Sequence, residues 1–180
     1  MEPSAKAKSD LIVRFASLED LDPLAVVEFE AFAGDAYDRV FLRHLLEAED
    51  CFAHVAEVDG SIAGFAITQL LSLGEFASGY GVPLERLPRG REDPTGLIGY
   101  FKSIAVLPMH RRSGIGRRLY EERFSLLRRL KIDSIFLVQM PNLQVRRFHV
   151  SMGFSPLGLD AQRRYQSGAQ GTVWHRFITV

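Results

Sequence analysis

A segment rich in arginine and glycine, V-L-P-M-H-R-R-S-G-I-G-R-R-L at residues 106–119, most constrains the fold. It is preceded by an apolar run, Leu97 to Val106, which predicts a strand. It overlaps a run from Gly116 to Leu130 that predicts a helix, because apolar residues recur there at spacings of three and four. Where a strand passes into a helix, the amides of the first helical turn have no partners and attract anions. The segment therefore predicts an anion site at a strand–helix turn.

The rest of the chain alternates between strand-like and helix-like patterns, which predicts a single α/β domain with a mixed sheet flanked by helices. Asp59-Gly60 separates two β-prone runs and is typical of a hairpin. Residues 72–96, rich in Gly, Pro, Ser and charge, predict a long irregular loop, either functional or a tolerated surface insertion. Residues 1–10 predict a disordered tail. The other predicted elements are strands at 11–15, 51–58, 62–71, 134–138 and 172–180, and helices at 20–32, 38–48 and 142–152.

Charge is balanced over the whole chain but concentrated in one part of it. The 22 basic and 22 acidic residues cancel, which argues against a nucleic-acid or membrane partner. Residues 111–131 nevertheless hold eight basic residues and two acidic ones. This favours a polyanionic ligand, with a solvated helix face as the alternative. Five residues at helical spacing should face the sheet and leave the arginines outward: Leu119, Tyr120, Phe124, Leu127 and Leu130.

The central segment departs from two phosphate-binding patterns and matches a third. A G-x-G-x-x-G fingerprint fails at Leu119, and the sequence has no G-x-x-x-x-G-K-[ST] loop. The pattern V-x-P-x-x-[RQ]-x-x-G-x-[GA] is filled by Val106, Pro108, Arg111, Gly114 and Gly116. This pattern resembles the acetyl-CoA-binding motif of the GCN5-related N-acetyltransferases (GNAT).

Further similarities follow the family's order along residues 11–156. A V-R-x-A-x-x-x-D element begins at Val13, and Asn142 precedes a Gly-Phe pair at the family's spacing. The resemblance implies a GNAT-like acyl-CoA N-acyltransferase fold, whose sheet is splayed between the strand ending at Val106 and the strand beginning near Ser134. The pantetheine arm of acetyl-CoA would lie in that opening. The residues implied to bind acetyl-CoA are Ile104, Ala105, Val106, Arg111, Arg112, Ser113, Gly114, Ile115, Gly116, Arg117 and Asn142. Asn142 also suits a helix N-cap.

The family's reaction is direct attack of a primary amine on the thioester carbonyl of acetyl-CoA in a ternary complex. The resemblance implies that His149, where the family often has tyrosine, acts as the general acid, with packing at the end of the helix as the alternative. Tyr100 stands where the family often has a glutamate base, so another group must accept the amine's proton. A water chain, or an acceptor that arrives neutral, would need no dedicated side chain. The candidate side chains are Glu28, Glu30, Asp35 and His54.

Several alternatives stay open at this level. The resemblance implies an enzyme acting on a small-molecule or peptide amine, while the departures at Tyr100 and His149 motivate a non-catalytic acyl-CoA-binding module. A nucleic-acid surface on the arginine-rich helix is a third reading. The single cysteine, Cys51, excludes an internal disulfide and suits a cytoplasmic protein. The spacing of histidines and cysteine predicts no metal site, and the sequence leaves open whether the chain forms a homodimer.

Overall fold

In a computed structural model, the structure describes residues 10–89, 96–164 and 167–180. The tail predicted at residues 1–10, apart from Asp10, lies outside the described residues, as does residue range 90–95 of the predicted loop. The strands are β1 (Leu11–Phe15), β2 (Cys51–Val58), β3 (Ser61–Ser72), β4 (Leu97–Val106), β5 (Ser134–Gln139), β6 (Ser155–Arg164) and β7 (Gln170–Phe177). The helices are α1 (Leu21–Phe32), α2 (Arg39–Glu47), α3 (Leu73–Tyr80), α4 (Ile115–Arg129) and α5 (Leu143–Ser151).

The described strands form one seven-stranded sheet in the order β1-β2-β3-β4-β5-β7-β6. All neighbours are antiparallel except β4 and β5, which are parallel. The predicted hairpin joins β2 to β3, and both Asp59 and Gly60 have the positive φ of a tight turn. The mixed α/β prediction is therefore confirmed.

Helices cover both faces of the sheet. On the first face, α1 and α2 pack on β2, β3 and β4 through a core that includes Leu24 and Phe65. On the opposite face, α4 and α5 pack through a cluster that includes Phe101, Tyr120 and Trp174. Among the described residues, no helix is long and apolar enough to cross a membrane.

Two elements differ from the sequence prediction. Residues 73–80 form helix α3 rather than part of an irregular loop. Ser72 and Glu75 make a reciprocal capping box at its start, and Phe76 is fully buried beneath it. Two glycines in this short helix hid its periodicity. Strand β6 was not predicted, because its Ser-Pro start and internal glycine are typical of a loop.

Arg123 contradicts the prediction that the arginines of the basic helix point outward. Its side chain is 0% exposed, whereas Leu130, predicted to face the sheet, is 41% exposed. Arg123 lies four residues after Leu119 and four before Leu127, so helical geometry puts it in the middle of the buried stripe. The basic patch of α4 is correspondingly smaller than the sequence suggests.

Candidate active site

The sheet opens between β4 and β5. These strands pair only at Gly99 with Ile135 and Tyr100 with Phe136, and in the described residues they are unpaired beyond that point. A bulge lies on β4 at the same place, because Lys102 is an extra residue between those that pair with β3. Such bulges bend a strand and free its backbone groups. The predicted splay is present, and it exposes the edge of β4 from the bulge to its end.

Arg123 holds this bulge from the α4 face. Its guanidinium donates to the Ile67 carbonyl at 2.7 Å and to the Thr68 hydroxyl at 2.9 Å, and the β3 register shifts between these two residues. The guanidinium carbon also lies 3.5 Å from the ring centroid of Phe101. Among the described residues, no carboxylate forms an ion pair with this guanidinium. Burial lowers the pKa of Arg123 to about 9, which leaves it charged at neutral pH.

The arginine–glycine segment forms the predicted turn at the start of α4. Gly114 has φ of 92° and serves as N-cap without a side-chain cap, so the first amides of α4 stay available. A positive φ of this size favours glycine. Arg111 donates to the Val106 carbonyl at 3.1 Å and ties the turn to the end of β4. The structure thus brings all of the cofactor residues predicted on β4 and the turn into one continuous stretch beside the splay.

Helix α5 lies across this opening from the turn. Asn142 caps α5, since its side-chain oxygen accepts from the amides of Gln144 and Val145 at 3.0 and 3.1 Å. Farther along α5, the Phe148 ring would lie 3.3 Å from a Cβ at position 116, so a side chain there would have to displace this ring slightly. The N-cap role predicted for Asn142 is therefore confirmed, and its contact with acetyl-CoA stays a prediction.

His149 lies inside the protein rather than at the mouth of the cleft. It is 4% exposed, and its Nδ1 lies 2.8 Å from the Tyr120 hydroxyl. Burial, with the nearby charge of Arg123, lowers the pKa of His149 to about 4. The ring is therefore neutral at pH 7, and a neutral imidazole is a weak proton donor. The geometry favours a packing role, and the general-acid role stays a prediction.

Glu28 of α1 is the candidate base that faces β4. It is 1% exposed, and its carboxylate accepts from the Tyr37 amide at 3.0 Å and from the Ser103 hydroxyl at 3.4 Å. Ser103 directly follows the bulge residue. Burial raises the pKa of Glu28 to about 7, against the lowering effect of the two hydrogen bonds. A carboxyl group with this pKa can take up and release a proton near neutrality.

The other three candidates for the general base are placed less favourably than Glu28. Glu30 lies on the exposed side of α1, and Asp35 accepts a hydrogen bond from the Ser167 amide at 2.8 Å. His54 is buried on the α4 side of the sheet, because Ala53 and Val55 on either side of it face α1. Burial lowers its pKa to about 4.

Tyr100 cannot replace the glutamate that the family often has at its position. Its side chain is 3% exposed, packs against Phe76 and shares a hydrogen bond with the Tyr80 hydroxyl. The structure therefore uses this position for packing between β4 and α3. Among the described residues, no group of three or more His, Cys, Asp or Glu side chains is arranged to hold a metal ion.

Comparisons with known proteins agree with this geometry. The family model described as Acetyltransferase (GNAT) family matches residues 18–154. An N-alpha-acetyltransferase of Sulfurisphaera tokodaii is 28% identical over 152 residues, 83% of this chain and 83% of that protein. A probable hydrolase of Bacillus subtilis, YhcX, is 28% identical over 142 residues, 71% of this chain but only 25% of that longer protein. The chain thus spans about a quarter of that relative's length.

Among solved structures, Arabidopsis thaliana NAA60 in complex with acetyl-CoA has a TM-score of 0.77. It shares 16% sequence identity, and the alignment covers 94% of this chain and 99% of that chain. A likeness at this identity establishes the fold and leaves the acceptor open.

Proposed function

The chain belongs to the acetyltransferase (GNAT) family and uses acetyl-CoA as co-substrate, and from that premise we propose that it acetylates the α-amine of a peptide or protein N-terminus. The observation that carries this proposal is Glu28, a buried carboxyl group with a pKa near 7 beside the bulge of β4. The N-alpha-acetyltransferase name of one relative supports the same acceptor.

The residues at the splay suit acetyl-CoA, which supplies the acetyl thioester. The amides of residues 112–117 would hold the pyrophosphate, since Gly114 leaves them uncapped and carries no side chain to block approach. Backbone groups of Ile104 and Val106 at the opened edge of β4 would bind the pantetheine arm, and Asn142 would contact it from α5. A backbone N–H near Val106 would stabilise the oxyanion that develops during transfer.

The proton affinity of Glu28 favours an α-amine over a lysine side chain. An α-ammonium group has a pKa of about 8, whereas a lysine ammonium has a pKa of about 10.4. Moving a proton to a carboxylate with a pKa of about 7 then costs about 1 kcal/mol from the α-amine and about 5 kcal/mol from lysine. The base in this site is therefore matched to a peptide N-terminus.

The reaction follows from these placements. Glu28, directly or through one water, accepts a proton from the acceptor's ammonium group, and the neutral nitrogen attacks the thioester carbonyl carbon. The new C–N bond forms as the C–S bond breaks, and the sulfur of coenzyme A leaves as thiolate. The nitrogen then releases its second proton to the thiolate, directly or through water, which gives the amide and the free thiol. Thiols are acidic enough, with a pKa of about 8.5 for the cysteine side chain, for the thiolate to leave before it is protonated and to take up this proton afterwards near neutral pH. On this route, proton return to the sulfur would not require His149.

The acceptor is expected to approach from the α1 face. The connection between α1 and α2 contains Asp35, and the connection between β6 and β7 contains Ser167. The hydrogen bond between them joins the two connections, and the first of these also contains Tyr37, whose amide donates to Glu28. We expect these two connections to contact the extended end of a peptide.

Two matched peptides test the acceptor. One has a free α-amine and no lysine, and the other has an acetyl-blocked N-terminus and one lysine. With purified protein and acetyl-CoA, mass spectrometry should detect acetylation of the first peptide at a rate well above that of the second. Faster lysine acetylation would contradict the proposed acceptor. Binding of acetyl-CoA without turnover of any amine would favour the non-catalytic alternative. The cytoplasmic location, the absence of nucleic-acid and membrane partners and a homodimer stay predictions.

A further inference from the structure

A cavity of about 430 Å³ lies beside α5, on the side of the sheet opposite Glu28. Its walls come from the end of β5, the start of α5 and the paired strands β6 and β7. Of its lining residues, only Asn142 belongs to the predicted acetyl-CoA site. The volume is in the range typical of small-molecule sites.

Two buried polar groups in its wall have no hydrogen-bond partner among the described residues. These are the indole Nε1 of Trp174 and the amide oxygen of Gln139, in side chains that are 3% and 7% exposed. The strand register places them side by side, since Gln139 pairs with Thr172 and Trp174 lies two residues farther along the same face of β7. An unpaired buried polar group costs about 1–3 kcal/mol. Both groups therefore favour a ligand that completes them, and because neither atom is open to solvent, the lining side chains must shift for the ligand to reach them.

The two groups require opposite chemistry from that ligand. The indole N–H of Trp174 can only donate, so it requires an acceptor. The amide nitrogen of Gln139 donates to the Asn142 carbonyl at 3.2 Å, which leaves the amide oxygen to accept from a donor. The ligand must therefore present an acceptor and an N–H or O–H donor close together.

An arginine and several apolar side chains also line the cavity. The guanidinium of Arg146 lies 5.9 Å from the centre of the Trp174 ring. Because this positive charge is close to the indole N–H, the hydrogen-bond acceptor of the ligand should be an anionic group. Met140, Pro141 and Pro156 add apolar wall, and Leu143 at the start of α5 is 64% exposed. These surfaces suit a short aliphatic side chain.

We propose that this cavity binds a free aliphatic α-amino acid. The carboxylate would pair with Arg146 and accept from Trp174, the ammonium group would donate to Gln139, and the side chain would contact the prolines. The ring centroids of Trp174 and His149 are 6.3 Å apart, so a residue that lines the cavity lies close to the residue at the predicted general-acid position. The proposal is independent of the acceptor that the enzyme uses.

The chain offers its own probe, because Trp174 is its single tryptophan. Tryptophan emission is followed while L-leucine is added to the full chain, with isoamylamine and isocaproate as analogues that lack the carboxylate and the ammonium group. We expect saturable binding of leucine and affinities at least about tenfold weaker for both analogues. Arg146→Ala should weaken leucine binding by a similar factor. Arg147→Ala, which removes a neighbouring exposed arginine that does not line the cavity, should not.

Three results would overturn the proposal. One is the absence of a saturable response to leucine in the folded wild type, which would mean that water completes the two polar groups. Another is an equal response in wild type and Arg146→Ala, which would place leucine elsewhere. The third is competitive displacement of leucine by acetyl-CoA, which would make the cavity part of the acetyl-CoA site. Calorimetry of Trp174→Phe, which keeps the ring packing and removes the N–H donor, gives an independent check and should show weaker binding.

Discussion

The carboxylate of Glu28 in α1 accepts a hydrogen bond from the hydroxyl of Ser103 in β4, at 3.4 Å. The bond joins a helix on one face of the sheet to the strand segment that follows the β4 bulge. It also links the proton affinity of the carboxyl group to the place where the sheet opens. The proposed role of Glu28 as the base depends on this relationship.

Replacing Ser103 with alanine should shift the pH dependence of acetylation. The hydrogen bond from Ser103 lowers the pKa of Glu28, so its loss should raise that pKa above its present value of about 7. The lower limb of the kcat/KM profile should then move to higher pH, with the plateau rate largely kept. Rates measured on an α-amine peptide across pH check this. A Ser103→Thr variant, which keeps the hydroxyl, is the control, and an unshifted alanine profile would contradict the coupling.

Replacing Glu28 with glutamine should stabilise the protein at alkaline pH while removing activity. Burial raises the pKa of Glu28 from 4.5 to about 7, so between these values the folded chain binds a proton that the unfolded chain has lost. The resulting stability is complete below pH 4.5 and is lost as the pH rises through 7. Glutamine avoids the buried charge, so the free energy of unfolding of the variant should exceed that of wild type by about 1–3 kcal/mol near pH 8 and by little near pH 5.

Urea unfolding of both proteins at the two pH values measures this difference. A glutamine variant that is no more stable than wild type near pH 8 would mean that Glu28 is not destabilised by burial. Glu30→Gln, at an exposed carboxylate on the same helix, gives a matched change of charge.

The turn before α4 and Glu28 show how much of the candidate site the sequence alone predicts. The turn was predictable because its determinants are local: a strand, a left-handed glycine and a helix start lie within one short segment. The proposed base was not, because Glu28 was one of four candidate side chains, and only the packing of α1 against β4 buries it and raises its pKa.

Arg123 and α3 show the same limit in packing. A charged residue at helical spacing is normally assigned to solvent, and only the bulge of β3 and β4 supplies the carbonyl and hydroxyl that make its burial tolerable. Helix α3 is short and contains glycines, and its stability comes from Phe76 beneath it rather than from local propensity. Information of this kind lies in contacts between distant parts of the chain.

Placing a glutamate at Gly114 should abolish acetyl-CoA binding. Gly114 has φ of 92°, and its amide belongs to the turn proposed to hold the pyrophosphate, so a carboxylate there repels the ligand. Gly158→Glu adds the same charge at another positive φ, 65°, on the edge strand β6. Calorimetric titration should show binding in wild type and Gly158→Glu and its loss in Gly114→Glu. Equal binding by both variants would contradict the assignment of the turn.

Alanine at position 149 should affect stability more than proton transfer. His149 is buried among aromatic rings and bonded to Tyr120, so its removal should cost about 2–4 kcal/mol through the cavity and the unpaired hydroxyl. We expect kcat per folded molecule to change by the same factor at every pH, so the apparent pKa of the pH–rate profile should not move. Tyrosine at the same position provides the family's more common residue for comparison. A pH-dependent loss in the alanine variant would instead support the general-acid role.

The most direct test of the central claim is the ratio of wild-type to Glu28→Gln kcat/KM, measured across pH on one α-amine peptide. Ionisation of the peptide is common to both proteins and cancels in the ratio, so the ratio reports Glu28 alone. We predict that it rises through a pH of about 7 to a plateau of roughly 10²–10⁴. A ratio that stays near unity at every pH, with both proteins folded and binding acetyl-CoA, would show that Glu28 is not the base.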